Sequence, residues 1–166
     1  PGASTFHNSV HATDVALAAH HFVTHFGLAE RLSRLELLAL LLGACMHDFN
    51  HPGGQSGGSD HALTHRTNSL TVFSHAHSNA ARSVVPDPTT PFARFPGTNN
   101  AHEVRARTSR AVAHSDASVL ERHHLQSTFA LMQYPPFDVL APLSAADRSA
   151  VRAAMIDLVL ATDLSR

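Results

Sequence analysis

An all-α fold is predicted for this chain, and three observations predict it. Apolar residues recur at three- and four-residue spacing in several segments, no segment alternates apolar and polar residues as a strand does, and capping residues or breakers stand at the segment ends. No internal repeat interrupts this reading.

Residues 8 to about 26 form the first predicted helix, with Val10, Ala12, Val15, Leu17, Ala18, Phe22 and Val23 at helical spacing and Gly27 to end it. Ser33 is placed to N-cap a second helix running through Leu35, Leu38, Leu41, Leu42 and Cys45 to His47. Its apolar residues lie nearly all round, which predicts burial inside a larger assembly. Residues 54–97 then break the pattern. Gly-Gly-Gln-Ser-Gly-Gly opens the stretch, Pro86, Pro88, Pro91 and Pro96 crowd its end, and a long flexible insertion is predicted, with at most a transient helix between Leu70 and Arg82. His61, His65, His75 and His77 fall within it and read as solvated loop histidines, because no rigid scaffold holds them. Order returns at Asn99, with a short helix to about Ala113. A stronger helix spans Ala117 to about Met132. It sets Leu120, His124 and Ser127 on one stripe, with Val119, His123 and Gln126 beside it, and Pro135-Pro136 stops it. Ser144, with Asp147 three residues on, resembles a capping box and opens a last helix carrying Val151, Met155, Leu158, Val159 and Leu160 towards Thr162-Asp163.

A chain of 166 residues with a hydrophobic fraction of 43% suits one soluble globular unit. The formal net charge of -1 argues against a basic nucleic-acid surface or an acidic tail. All twelve basic residues are arginines, which reflects genomic base composition rather than chemistry. Cys45 is the only cysteine, so no intrachain disulfide forms, and its place in an apolar helix predicts a buried, inert thiol. The run from Leu35 to Met46 is too short to span a bilayer and carries Glu36. No signal peptide opens the chain, but Pro1 begins in mid-pattern, so the sequence reads as part of a larger domain.

The chemistry concentrates in two histidine clusters. His7 and His11 are four residues apart and share a helix face, while His47 sits beside Asp48 at a helix end, shortly before His51-Pro52-Gly53. Imidazole and carboxylate suit Zn²⁺, and carboxylate with water suits Mg²⁺. A metal-dependent hydrolase is the first reading. His11, His47 and Asp48 are candidate ligands, and the Asp48 carboxylate could bridge two metals about 3.5–4 Å apart. His7, one turn before His11, is placed to act as an acid, with Glu121 the candidate carboxylate to keep it protonated. His20, His21 and His25, on the same amphipathic helix, read as packed or hydrogen-bonded side chains.

Four motifs in order carry a family resemblance: Phe6-His7-Asn8-Ser9-Val10-His11-Ala12-Thr13-Asp14-Val15, His47-Asp48-Phe49-Asn50-His51-Pro52-Gly53, Asp116-Ala117-Ser118-Val119-Leu120-Glu121-Arg122-His123-His124, and Leu160-Ala161-Thr162-Asp163. Together they resemble the catalytic domain of the class I, animal-type cyclic nucleotide phosphodiesterases, within the HD metal-dependent phosphohydrolases. The corresponding family segments are Tyr-His-Asn-x-x-His-Ala-x-Asp-Val, His-Asp-x-Asp-His-Pro-Gly, Asp-x-Ser-x-Leu-Glu-Asn-His-His and Leu-Ala-Thr-Asp. The resemblance implies that residues 1–166 are the N-terminal to central helices of that domain, interrupted by the insertion. It implies hydrolysis of a 3′,5′-cyclic nucleotide, cAMP or cGMP, to the 5′ monophosphate, with His7 as the acid for the O3′ leaving group. His11, His47 and Asp48 would bind Zn²⁺, with Asp48 bridging to a second metal, Mg²⁺ or alternatively Mn²⁺. His51, Glu121 and Thr162 would hold waters around the metals, Glu121 would also orient His7, and His123 and Asp163 would give structural support. A cyclic nucleotide is the implied partner, with no nucleic acid and no membrane segment, in an intracellular setting.

Several positions depart from the family pattern. Phe6 lacks the tyrosine hydroxyl, Asn50 replaces an aspartate, Ser115 stands where an asparagine is usual, and Arg122 replaces an asparagine. The family's fourth zinc ligand, its purine-binding glutamine and its aromatic clamp are expected beyond Arg166, so the chain by itself is expected to be inactive. The family runs from His-Pro-Gly directly to a residue followed by Asn-Asn, so removing residues 54–97 would restore His-Pro-Gly-Thr-Asn-Asn. The insertion is then either a loop at the active-site rim or a segment wrongly retained in the gene. Its deletion is expected to leave the fold intact; loss of metal binding by a complete domain lacking it would contradict that. Two alternatives remain beside the phosphodiesterase reading: another HD-type phosphohydrolase, and a degenerate or regulatory module without catalysis.

Overall fold

The computed structural model describes residues 7–52 and 99–164, so the expected insertion and its four histidines lie outside the described residues. Among the described residues the chain is helical and contains no strand. Six α-helices occur in order among the described residues: α1 (Ser9–His25), α2 (Arg34–Met46), α3 (Asn100–Arg105), α4 (Ser109–Ala113), α5 (Val119–Leu131) and α6 (Ala145–Leu160). Single 3₁₀ turns lie at Leu28–Glu30 and Pro135–Phe137.

Local chemistry accounts for the helix boundaries. Asn8 caps α1, its Oδ1 accepting from the backbone N–H of Val10 at 2.9 Å and of His11 at 3.3 Å. Gly27, at φ 69°, supplies the left-handed residue that stops α1. At α2 the expected cap is a full capping box: Ser33 Oγ accepts from Glu36 N–H, and the Ser33 N–H donates to Glu36 Oε2 at 2.7 Å. At α6 only half of the expected box forms. Ser144 Oγ accepts from Asp147 N–H at 3.1 Å, but the carboxylate meets the Ser144 hydroxyl at 2.8 Å rather than its backbone.

The single short helix expected from Asn99 to Ala113 is two helices. Arg107 takes φ 49°, and Thr108 then caps α4 through Ala111 N–H. The break is stabilised by Glu103, which is 1% exposed and accepts from Arg110 Nε at 3.0 Å, from Arg110 Nη2 at 2.9 Å and from Thr108 Oγ1. Ser118, also left-handed at φ 44°, offers α5 no side-chain cap. Asn100 supplies it instead from α3: its Oδ1 accepts from Leu120 N–H at 2.9 Å, and its Nδ2 donates to Glu121 Oε2 at 2.8 Å.

The core lies chiefly between α2 and α6, with α1 also packed on α2 and α5 packed on α6. Ala39, Leu140, Val151 and Met155 are fully enclosed, bordered by Leu35, Leu38, Leu42 and Phe129 among others. Burying the Leu140, Val151 or Met155 side chain contributes about 1.5–3 kcal/mol each. Gly43 is also buried, with Leu158 close enough that a Cβ there would make ordinary contact at 3.6 Å. Arg152 lies with its guanidinium 3.5 Å above the Phe129 ring. By contrast α1 leaves Val10, Leu17, Phe22 and Phe26 exposed, and only Val23 of that helix is buried.

Two expectations need correction. Cys45 is exposed, not buried, because α2 turns Ala39 and Gly43 inward and Cys45 outward. Nearby atoms still desolvate the thiol enough to push its pKa up. His20, His21 and His25 are exposed rather than packed; of the three, only His25 has a ring hydrogen bond.

Candidate metal centre

The cap at Asn8 and the end of α2 bring the two histidine clusters face to face. Asn8 starts α1 so that His7 precedes it and His11 stands in its first turn. His47 is the C-cap of α2, and residues 47–50 form a turn in which Asn50 takes φ 61°, a conformation asparagine tolerates. Asp48 is the hub. Its Oδ2 lies 2.8 Å from His7 Nδ1, 3.2 Å from His11 Nε2 and 3.0 Å from His47 Nε2. His11 Nε2 and His47 Nε2 are themselves 3.2 Å apart. His7, His11 and Asp48 also offer ligand atoms all within 4.8 Å of one another.

This arrangement fits a cation. His47 donates its Nδ1–H to the carbonyl of Ala44 at 2.9 Å, which turns Nε2 towards Asp48 and His11. Three electron-rich atoms, His11 Nε2, His47 Nε2 and Asp48 Oδ2, then stand 3.0–3.2 Å apart in a triangle. A tetrahedral ion with bonds of about 2.0 Å spaces its ligands about 3.3 Å apart, which is close to this triangle. Without an ion, a proton must take its place. Hydrogen bonding to Asp48 accordingly raises the His47 pKa against the opposing effect of burial. Burial lowers that of His11. Burial alone would raise Asp48, but its hydrogen bonds with His47 and His7 outweigh this and hold its carboxyl below the usual carboxylate range.

The remaining sequence candidates lie at different depths. His51 stacks on His7, with ring centroids 3.9 Å apart, and burial pushes its pKa down to about 4. Thr162 donates to the Val159 carbonyl at 2.7 Å and lines a cavity of about 330 Å³ together with His47, Val15 and Ala18. Glu121, the partner expected for His7, is instead held by Asn100, and it is Asp48 that meets His7. Among the described residues, neither Thr162 nor Glu121 hydrogen-bonds to the four-residue cluster. His123 donates its Nε2–H to the Asn50 carbonyl at 3.1 Å, and Asp163 is buried. The amide at Asn50 is used as such, its Nδ2 donating to Ser127 Oγ at 3.1 Å.

One residue of the site was given no role from sequence. His124, 2% exposed, donates Nδ1–H to the Phe49 carbonyl at 2.8 Å and turns Nε2 towards Asp48 Oδ1, 3.8 Å away. Burial pushes its pKa down to about 4, so it is neutral at pH 7. The signal was its position on the stripe with Leu120, where a histidine at a core register needs a polar partner. Asn100 was marked only as part of the Asn-Asn of a family segment, and nothing local showed that it caps α5 from another helix.

The chain is similar to known cyclic nucleotide phosphodiesterases. The curated relatives include the dual specificity calcium/calmodulin-dependent 3',5'-cyclic nucleotide phosphodiesterase 1B of Homo sapiens, 28% identical over 96% of this chain and 22% of the relative. The probable 3',5'-cyclic phosphodiesterase pde-1 of Caenorhabditis elegans is 31% identical over 96% of this chain and 18% of its own length. The 3',5'-cyclic-nucleotide phosphodiesterase regA of Dictyostelium discoideum is 27% identical over 96% of this chain and 14% of its own. The chain thus spans about a fifth or less of the length of these relatives. The family described as 3'5'-cyclic nucleotide phosphodiesterase matches residues 6–92 and 93–166, so both sides of the histidine and aspartate cluster fall within it. A metal-type cluster at the junction of α1 and α2 and a match over nearly the whole sequence lead to one assignment: the chain belongs to the 3'5'-cyclic nucleotide phosphodiesterase family.

Proposed function

We propose that this chain carries the histidine-rich half of a centre that hydrolyses the 3′ phosphoester of a cyclic nucleotide to the 5′ monophosphate. The observation that carries the reading is the convergence of His11, His47 and Asp48 into a triangle of 3.0–3.2 Å, with His7 on the same carboxylate. His11, His47 and Asp48 would hold a first divalent ion, Zn²⁺ by its preference for imidazole, and Asp48 would also help hold a second, Mg²⁺ or Mn²⁺. When bound, these ions supply water activation and neutralise charge on the phosphoryl group.

The chain's own residues supply position and protons. Asp48 orients His7 through Nδ1, and His7 carries the proton to the departing O3′. The Ala44 and Phe49 carbonyls fix His47 and His124 with Nε2 towards the carboxylate, so the ligands need little rearrangement. His51, stacked on His7, limits the swing of that ring.

Hydrolysis of cAMP and cGMP by the complete parent protein, assayed with Zn²⁺ and Mg²⁺, tests the reading. Turnover that disappears in His7→Ala, while metal content is retained, supports it. A complete, metal-loaded protein that hydrolyses neither nucleotide would overturn it and favour a regulatory module.

A further inference from the structure

Away from this centre, the exposed end of α1 presents a second grouping of imidazoles. His21 and His25 lie four residues apart, both exposed, with ring centroids 4.2 Å apart and planes 24° from parallel. On a helix this spacing lets two imidazoles reach one ion. His25 Nδ1 lies 2.7 Å from Thr24 Oγ1 and 3.3 Å from the His21 carbonyl. The Thr24 hydroxyl donates to the His20 carbonyl at 2.9 Å, so His25 Nδ1–H donates to Thr24 Oγ1 and the lone pair stays on Nε2. This repeats the device by which the Ala44 carbonyl fixes His47, and it is the usual state of a metal-ligating histidine.

The surroundings favour a cation. His25 closes α1, where the unpaired carbonyls carry partial negative charge. No lysine or arginine occurs within α1 to repel an ion. Phe26 packs edge-on against His21 at 5.8 Å and supports that ring on one side. Because both imidazoles are exposed, small side-chain rotations bring their nitrogens onto one point without repacking. His21 stands ten residues beyond His11, about 15 Å along the helix, so the two groups do not share an ion.

We propose that His21 and His25 form a surface site for an imidazole-binding transition-metal ion (Cu²⁺, Ni²⁺ or Zn²⁺), with water completing the coordination. Cu²⁺ is the strongest probe, since nitrogen sites bind it most tightly among the first-row divalent ions. The protein is loaded with Cu²⁺, freed of excess and analysed for metal per chain, and binding is followed by calorimetry. The His21→Ala/His25→Ala variant is expected to hold one Cu²⁺ fewer than the unsubstituted chain. Either single substitution weakens that ion about 100-fold, because the second imidazole acts as an intramolecular ligand. His20→Ala, exposed on the same helix but out of register with His25, leaves it unchanged. Circular dichroism checks that helicity is retained in each variant. Equal Cu²⁺ content and affinity in the double variant would overturn the proposal, as would an equal loss from His20→Ala.

Discussion

Arg110→Ala should destabilise the protein by about 3–5 kcal/mol, because it strands a carboxylate buried among helices. The magnitude follows from an asymmetry in exposure. Glu103 is 1% exposed, whereas the Arg110 side chain is 31% exposed. Removing the arginine leaves Glu103 with Thr108 Oγ1 alone and no counter-charge. Glu103→Gln, in contrast, leaves an arginine that regains water and should cost about 1–2 kcal/mol, the worth of the lost charge-assisted bonds. The double variant should be more stable than the sum of the two losses implies. Urea unfolding followed by far-ultraviolet circular dichroism measures all three. An Arg110→Ala cost below about 1 kcal/mol, or a larger cost for Glu103→Gln, would refute the reasoning. Acid provides a second readout. Burial by itself would raise the Glu103 pKa, but Arg110 and Thr108 outweigh it and hold it below the ordinary 4.5. A carboxylate lowered in the folded state stabilises above its unfolded pKa and loses that contribution as pH falls through its folded value. The unsubstituted protein should therefore lose stability below about pH 4.5 more steeply than Glu103→Gln.

Other outcomes follow from the same structure. Met155→Ala, at a fully buried position between α2 and α6, should cost about 2–5 kcal/mol in urea unfolding; under 1 kcal/mol would mean the helices collapse freely onto the void. Asp48→Asn should lower Zn²⁺ affinity at least tenfold by calorimetry, since one carboxylate contacts all three histidines; unchanged affinity would place the ion elsewhere. Asn100→Ala removes the cap on Leu120 N–H and should cost about 1 kcal/mol, read as a lowered melting temperature. In chelator-treated protein His51 and His124 are held down to about 4, against 6.5 when unfolded. The unfolded state then takes up protons first, so stability should fall as pH drops from about 6.5 to about 4, and His124→Gln should flatten that limb.

Much of the fold was legible because helices announce themselves locally. Gly27, Ser33 and Pro135-Pro136 mark boundaries through backbone chemistry within a few residues, and α1, α2, α5 and α6 lie where those signals put them. The failures have physical causes. The break between α3 and α4 depends on Glu103 finding Arg110, seven residues away, across a left-handed Arg107. The outward turn of Cys45 could not be read from α2, whose apolar residues lie nearly all round and name no inner face. The half-made box at Ser144 shows the same limit at atomic scale, since spacing does not say which donor the carboxylate meets.

For the site, sequence alone named the candidate residues, from residue type at fixed short spacing, and four ordered motifs pointed to the family that the match over the chain shows. His7 with His11 and His47 with Asp48 needed no third dimension. Only tertiary structure decided how the two pairs meet. The packing of α1 on α2 makes Asp48 the common partner of His7, His11 and His47. The arrival of α5 adds His124 to the same carboxylate and leaves Glu121 with Asn100. The contact of His11 with His47 joins residues 36 positions apart and that of Asp48 with His124 residues 76 apart, and local propensity carries no information at that range.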